Sequence, residues 1–182
     1  MSRVVLSIGS NLGDRMARLQ TAVDELGDRV RAVSPVYQSE PWGGVDQGPF
    51  LNAVVIAEDP DLDGQDWLDF AQRLEREADR VRGQKWGPRT LDVDLVTVHD
   101  ITEHDVTGQE VFSRSDGLTL PHPLAHLRAF VLIPWQDVDP DGWLTVAGSH
   151  RTVTNLLDQI DAAERAGVQL FDAVLHGPDQ KA

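Results

Sequence analysis

Apolar residues along this chain recur with two periods. Arg3–Ile8 is a short continuous apolar run ending at Gly9-Ser10-Asn11, the mark of a buried first strand. Met16, Leu19, Val23 and Leu26 then follow helical spacing, with Asn11 or Asp14 as cap and Gly27 as terminator. Val30–Gln38 is rich in β-branched residues but holds a proline, which predicts a strand near a sheet edge. Glu40 to Pro49 is loop chemistry throughout, and Leu51–Ala57 predicts a third strand. The strongest helical stripe joins Trp67, Phe70, Ala71, Leu74, Ala78 and Val81 behind the acidic starters Asp63 and Asp66. Gly83 to Pro88 breaks it, and Leu91–Val98 predicts a fourth strand.

This order, β-α-β-β-α-β, predicts an α+β fold with a ferredoxin-like core: a mixed or antiparallel sheet with helices packed on it. His99 to Gly117 is polar and aperiodic and reads as a surface excursion or hairpin. A short strand at Leu118–Leu120, a helix within Leu124–Ile133 and another at Val153–Ile160 complete the pattern. No repeat or linker divides the 182 residues, which read as one domain. Its core covers about 3–135, and a helical C-terminal extension about 136–182, with a frayed end.

Composition narrows the function. Cysteine is absent, which excludes disulfides, thiolate metal sites and thiol nucleophiles. No apolar run spans a bilayer, so a cytoplasmic protein without a membrane partner is expected. The net charge of −14 repels phosphate backbones and argues against nucleic-acid binding. Within that acidic chain Arg73, Arg76, Arg80, Arg82, Lys85 and Arg89 gather six of the sixteen cations. Glu75, Glu77 and Asp79 pair with the first of them as a helix face would. Arg82, Lys85 and Arg89 lie beyond those acids and suggest a small anionic ligand.

Asp92 and Asp94 follow at once in the fourth strand. Alternate residues of a strand share a face, so their α-carbons stand about 6.5–7 Å apart on one side of the sheet. Two such carboxylates either face solvent or share a cation. Val96 and Val98 should continue the same face, which a wet surface would not, and this favours a cation. The hard ion Mg²⁺ suits one or two carboxylates and lets substrate phosphates complete its shell. No phosphate-binding loop of the G-x-x-x-x-G-K-[ST] type and no G-x-G-x-x-G occurs.

Five strings in order carry a family resemblance: Ile8-Gly-Ser-Asn-Leu12, Phe50-Leu-Asn-Ala-Val54, Arg80-Val-Arg82, Trp86-Gly-Pro-Arg-Thr-Leu-Asp-Val-Asp-Leu95, and Leu118-Thr-Leu-Pro-His-Pro123 with Arg128-Ala-Phe130. Together they resemble the 6-hydroxymethyl-7,8-dihydropterin pyrophosphokinases of folate biosynthesis. The resemblance implies transfer of a pyrophosphoryl group from ATP to the pterin hydroxymethyl group, with release of AMP. It implies two Mg²⁺ ions on Asp92 and Asp94, and Arg80, Arg82 and Arg89 as catalytic cations on a loop that closes over ATP. Gln72, Glu75, Lys85, Arg89, Leu95, Thr119, His122 and Arg128 would line the ATP site. Ser39, Glu40, Trp42, Phe50, Asn52, Trp86 and Phe130 would hold the pterin, with the two phenylalanines stacked on its faces. Gly117 stands where some members carry an adenine-side arginine, for which Arg114 is a candidate stand-in. The implied partners are ATP and a reduced pterin, with the chain a monomer open to complexes with other folate-pathway enzymes. Two rival readings are an ADP-forming kinase on the same scaffold and a ligand-binding module without turnover.

Overall fold

The computed structural model describes residues 1–41, 48–80 and 90–180, residue 80 by its main chain alone. The first half runs β1 (Ser2–Ser10), α1 (Arg15–Leu26), β2 (Val30–Val33), β3 (Tyr37–Ser39), β4 (Phe50–Asp59) and α2 (Gly64–Arg80). The second runs β5 (Asp92–Asp100), β6 (Gln109–Glu110), β7 (Ser113–Ser115), β8 (Leu118–Leu120), α3 (Ala129–Val138), β9 (Trp143–Val146), β10 (Ser149–Thr152), α4 (Val153–Asp158), α5 (Ala162–Ala166) and β11 (Gln169–Leu170). The main sheet has the order β11-β3-β4-β1-β5-β6, with β2 also on β4. Every pairing in it is antiparallel, so of the two expected sheet types the antiparallel one is found.

Local chemistry accounts for the helices. Asp14 caps α1 by accepting from the Ala17 amide at 3.0 Å, and Gly27, with φ of 55°, ends it. Asp63 and Asp66 accept each other's main-chain N–H at 2.9 Å, a reciprocal cap that starts α2. Leu19, Ala22, Val23 and Leu26 of α1 join Trp67, Ala71, Leu74 and Ala78 of α2 in one core on one face of the sheet. The predicted stripe thus holds, with Phe70 only partly buried at its margin and Val81 outside the described residues.

On the other face α3 and α4 cover Val5, Val54, Ile56 and Val96. The hydroxyl of Tyr37 donates to Asp137, tying β3 to α3.

Three expectations change. The predicted strand Val30–Gln38 is two strands, because Ser34-Pro35-Val36 interrupts it. The region after residue 136 is not simply helical: a β9-β10 hairpin precedes α4 and α5, and β11 returns to pair with β3. A bulge in β5 opposite Val5 and Leu6 inserts one residue into the ladder. Val96 therefore does share the face of Asp92 and Asp94, whereas Val98 is turned into the core under α1 and α2.

Candidate active site

The antiparallel register puts two kinds of chemistry on either side of one glycine. Gly9, in the central strand β1, lies between Asn52 of β4 and Asp92 of β5. One step along, Ser7 lies between Val54 and Asp94. These small residues interrupt the apolar face that α3 covers further down the sheet, so the sheet is left open there. The opening is a cleft of about 230 Å³ lined by Ser39, Glu40, Phe50, Asn52, Asp92, Asp94, Arg128 and Phe130 over a floor of Ser7 and Gly9.

Asn52 is 3% exposed and donates through Nδ2 to Ser39 Oγ at 2.8 Å. That bond fixes which way the amide points and leaves Oδ1 and one N–H for a ligand edge. A Cβ on Gly9 would come within 3.3 Å of Asn52 Oδ1 and 3.5 Å of the Phe50 ring. Glycine here lets Phe50 and Asn52 sit low over the floor.

Opposite them, Arg128 caps α3 and reaches across the cleft. Its Nη1 stands 3.8 Å from Asp94 Oδ2, and its guanidinium lies 5.6 Å from the centre of the Phe130 ring. Asp94 keeps 45% of its side chain exposed, so its oxygens are open to the cleft. No cluster of three His, Cys, Asp or Glu occurs among the described residues. The carboxylate pair nonetheless fits Mg²⁺, which takes few protein ligands and fills its octahedron with water and phosphate oxygens.

The remaining predicted residues divide. His122 borders the cleft closely enough for Asp94 to oppose the downward pull of burial on its pKa, with Arg128 adding to that pull. Its Nδ1 accepts from the Leu124 amide at 3.1 Å, which leaves the proton of the neutral ring on Nε2 as a donor. Thr119 is exposed and lies directly opposite Arg114 in the β7-β8 pair; both line a shallower depression of about 910 Å³ that also includes His122. Gln72 is exposed on α2. Glu75 accepts from the Val93 amide at 2.8 Å and so braces the strand between the two aspartates. Leu95 does not join the cleft: its side chain is buried in the core on the opposite face, because the strand alternates. Trp42, Arg82, Lys85, Trp86 and Arg89, with the proposed closing loop, lie outside the described residues, as does the side chain of Arg80.

Ser7 was not singled out by its sequence, and Gly9 entered only within the Ile8–Leu12 string, not as the floor of a cleft. The available signal was two small residues at alternate positions of an otherwise apolar strand, which marks one face as uncovered.

Comparison with known proteins gives a consistent answer. Residues 5–140 match the family model described as 7,8-dihydro-6-hydroxymethylpterin-pyrophosphokinase (HPPK). The chain is 58% identical over 171 residues to a 2-amino-4-hydroxy-6-hydroxymethyldihydropteridine pyrophosphokinase of Mycobacterium bovis, covering 94% of this chain and 90% of the relative. The protein of the same name from Pseudomonas aeruginosa is 39% identical over 145 residues, covering 78% and 83%. Among solved structures, wild-type HPPK-DHPS of Plasmodium falciparum matches with a TM-score of 0.58 at 13% identity. That match covers 87% of this chain but 44% of the longer one, and it speaks to fold alone.

Proposed function

The chain belongs to the 7,8-dihydro-6-hydroxymethylpterin-pyrophosphokinase family and transfers pyrophosphate from ATP to 6-hydroxymethyl-7,8-dihydropterin in folate biosynthesis, and we propose that it does so in the cleft over Gly9. The observation that carries this reading is the pairing of Gly9 with Asn52 on one side and Asp92 on the other. It sets a flat, hydrogen-bonding half against an anionic, metal-competent half within one opening.

In the flat half, Phe50 and Phe130 supply aromatic faces for the pterin, and Asn52, oriented by Ser39, reads its edge. In the anionic half, Asp92 and Asp94 would hold Mg²⁺, two ions in the full complex, which would supply positive charge to neutralise the phosphates. The pterin hydroxyl oxygen forms a bond to the β-phosphorus as the bond from that phosphorus to the bridging α,β-oxygen breaks. AMP leaves and the hydroxyl proton passes to solvent or a nearby oxygen. The chain's part is to position both partners and to balance charge. Arg128 helps by lying beside Asp94, with a planar fork suited to phosphate oxygens. His122 offers its Nε2–H from the same rim. Arg80, Arg82, Lys85 and Arg89 complete the cationic side, with Gln72, Thr119 and the main chain of Leu95 on the nucleotide and Glu40, Trp42 and Trp86 on the pterin.

We read the central strands as a split βαββαβ unit of the ferredoxin-like kind within a single catalytic domain. That domain works as a cytoplasmic monomer, able to associate with other enzymes of the pathway. No helix among the described residues is long and apolar enough to cross a membrane.

Incubation with Mg-ATP and 6-hydroxymethyl-7,8-dihydropterin, followed by separation of nucleotides, tests the reaction. AMP formed in step with pterin diphosphate is expected; ADP would point to simple phosphoryl transfer. The site assignment fails if Asp92→Asn or Asp94→Asn leaves turnover intact.

A further inference from the structure

Past α5 the chain comes back to the edge of the sheet nearest the flat half of the cleft. β11 pairs antiparallel with β3, Gln169 opposite Gln38 and Leu170 opposite Tyr37, and the Phe171 amide donates to the Val36 carbonyl at 2.9 Å. β3 has three residues, and its other side pairs with the part of β4 that lines the cleft. Ser39 lies opposite Phe50 and Tyr37 opposite Asn52. The Ser39 hydroxyl is also the group that orients the Asn52 amide. A three-residue strand makes few ladder bonds and opens easily when one side is exposed, so a second neighbour restrains it.

The same tail reaches the start of β4 by a second route. Arg15, the first residue of α1, donates through Nη1 at 3.0 Å to the carbonyl of Pro49, the residue before Phe50. Its guanidinium carbon lies 5.8 Å from the centre of the Phe171 ring, within reach of a cation–π contact. Arginine has a long stem with many rotamers, and a ring beside the guanidinium removes those that turn away from Pro49. Phe171 is itself partly buried against the core and is anchored on both sides. β11 precedes it, and Leu175, 2% exposed, enters the core of α1 and α2 after it. His176 then exchanges two hydrogen bonds with the Gln20 amide of α1, each of 2.9 Å.

We propose that residues 169–176 are a positioning element for the pterin, with Arg15 and Phe171 as its positioning residues. β11 steadies Ser39 and through it Asn52, while Phe171 steadies Arg15 and through it the peptide between Pro49 and Phe50. This rests on the reading of Phe50 and Asn52 as pterin contacts. Asp92 and Asp94 stand on β5, which β1 separates from β4 and β3, so the effect is confined to the pterin half.

The readout is the affinity of the full chain for 6-hydroxymethyl-7,8-dihydropterin at a saturating unreactive ATP analogue, beside its affinity for the analogue alone. Phe171→Ala and Arg15→Ala should each weaken the pterin roughly fivefold. The double variant should lose no more than roughly tenfold, against roughly twenty-five-fold for independent effects. Analogue affinity and kcat at saturating pterin should stay within about twofold of the parent, so that KM for the pterin alone moves. Phe171→Tyr should keep the parental affinity, and Phe171→Leu, which keeps the bulk without the ring, should behave as Phe171→Ala. Unchanged pterin affinity, an equal loss for the analogue, or multiplicative losses in the double variant would overturn the proposal. Parental affinity in Phe171→Leu would overturn the part given to the ring. Phe50→Ala tells the two readings apart. If it leaves the pterin affinity intact, the placement of the pterin falls and this proposal with it; if it weakens the pterin while Phe171→Ala does not, the proposal alone falls. Should Phe171→Ala fail to fold, Phe171→Leu carries the comparison.

Discussion

Replacing Gly9 with alanine puts a methyl group into the floor of the substrate cleft. The new carbon would sit 3.3 Å from Asn52 Oδ1, inside normal contact, and 3.5 Å from the Phe50 ring, at ordinary contact. Ser39 holds the Asn52 amide from the other end, so the amide relieves the crowding by tilting. A tilt of a few tenths of an ångström costs most of one neutral hydrogen bond to the pterin, about 1 kcal/mol, or about a fivefold loss of affinity. Gly9 does not occupy the left-handed region, so alanine brings no backbone strain. Removing a glycine restricts the unfolded chain and offsets the local crowding by about 0.4–1 kcal/mol. The melting temperature should therefore stay within about 3 °C. Calorimetric titration of the pterin into protein saturated with an unreactive ATP analogue reads the effect, with titration of the analogue alone as control. The expected result is selective loss of pterin affinity. Unchanged pterin affinity, or an equal loss for the nucleotide, would refute the placement of the pterin edge over Gly9.

Asp94→Asn removes one of two metal-type carboxylates while its side chain is 45% exposed, so the fold should persist and kcat should fall by roughly a hundredfold or more. Circular dichroism and a magnesium titration of the rate check both halves of that statement. Tyr37, the chain's only tyrosine, has its pKa raised to about 12 by burial and by the hydrogen bond to Asp137. The folded chain keeps this proton longer than the unfolded chain, so the contribution is complete below about pH 10 and lost as pH climbs from about 10 to 12. The tyrosinate absorbance reports the midpoint directly, and a midpoint near 10 in the folded protein would refute it. His99 works in the opposite sense, its pKa lowered to about 4 chiefly by burial. Its stabilising share is whole above about pH 6.5 and disappears as pH falls from about 6.5 to 4, because the unfolded chain takes up the proton first. Urea unfolding across that window should show a shallower acid slope for His99→Gln than for the parent; parallel slopes would count against it.

Much of the arrangement was readable from residue order, and the exceptions have local causes. The helical stripes of α1 and α2 were visible because large apolar residues recur at a fixed angle and their caps are acidic. The carboxylate pair was visible because Asp is foreign to strands. Counting by twos failed beyond Val96, since one extra residue in β5 is invisible in sequence and reverses the faces that follow. Pro35 signalled an edge but not the break into β2 and β3. Leu95 was assigned to the nucleotide by family resemblance, although its place between Asp94 and Val96 already sends its side chain to the helix side. Ser7 and Gly9 were harder to see, because a residue that functions by being small leaves no chemical signature. What they leave uncovered emerges only when the neighbouring strands are in register.

The acidic edge of α2 shows why position and chemistry cannot be separated here. At its N-terminal half β5 has β1 on one side, and the strand needs partners for the groups on the other. Glu75 supplies one by accepting from the Val93 amide, the peptide between the two cleft aspartates. One helical turn later Asp79 accepts from the Thr90 hydroxyl at 3.1 Å, while Thr90 O accepts from Ser10 Oγ at 2.6 Å. Further along, the Val96 carbonyl accepts from the His122 amide at 2.8 Å and brings that imidazole to the rim. A strand whose edge is held at these points has little freedom to slide or twist. The Asp92 and Asp94 side chains then project from a fixed main chain, which holds the direction in which the two carboxylates enter the cleft. The i, i+4 repeat of acids on α2, which resembles an ordinary solvated helix face, is thus used inward, on the backbone that aims the carboxylate pair of the cleft.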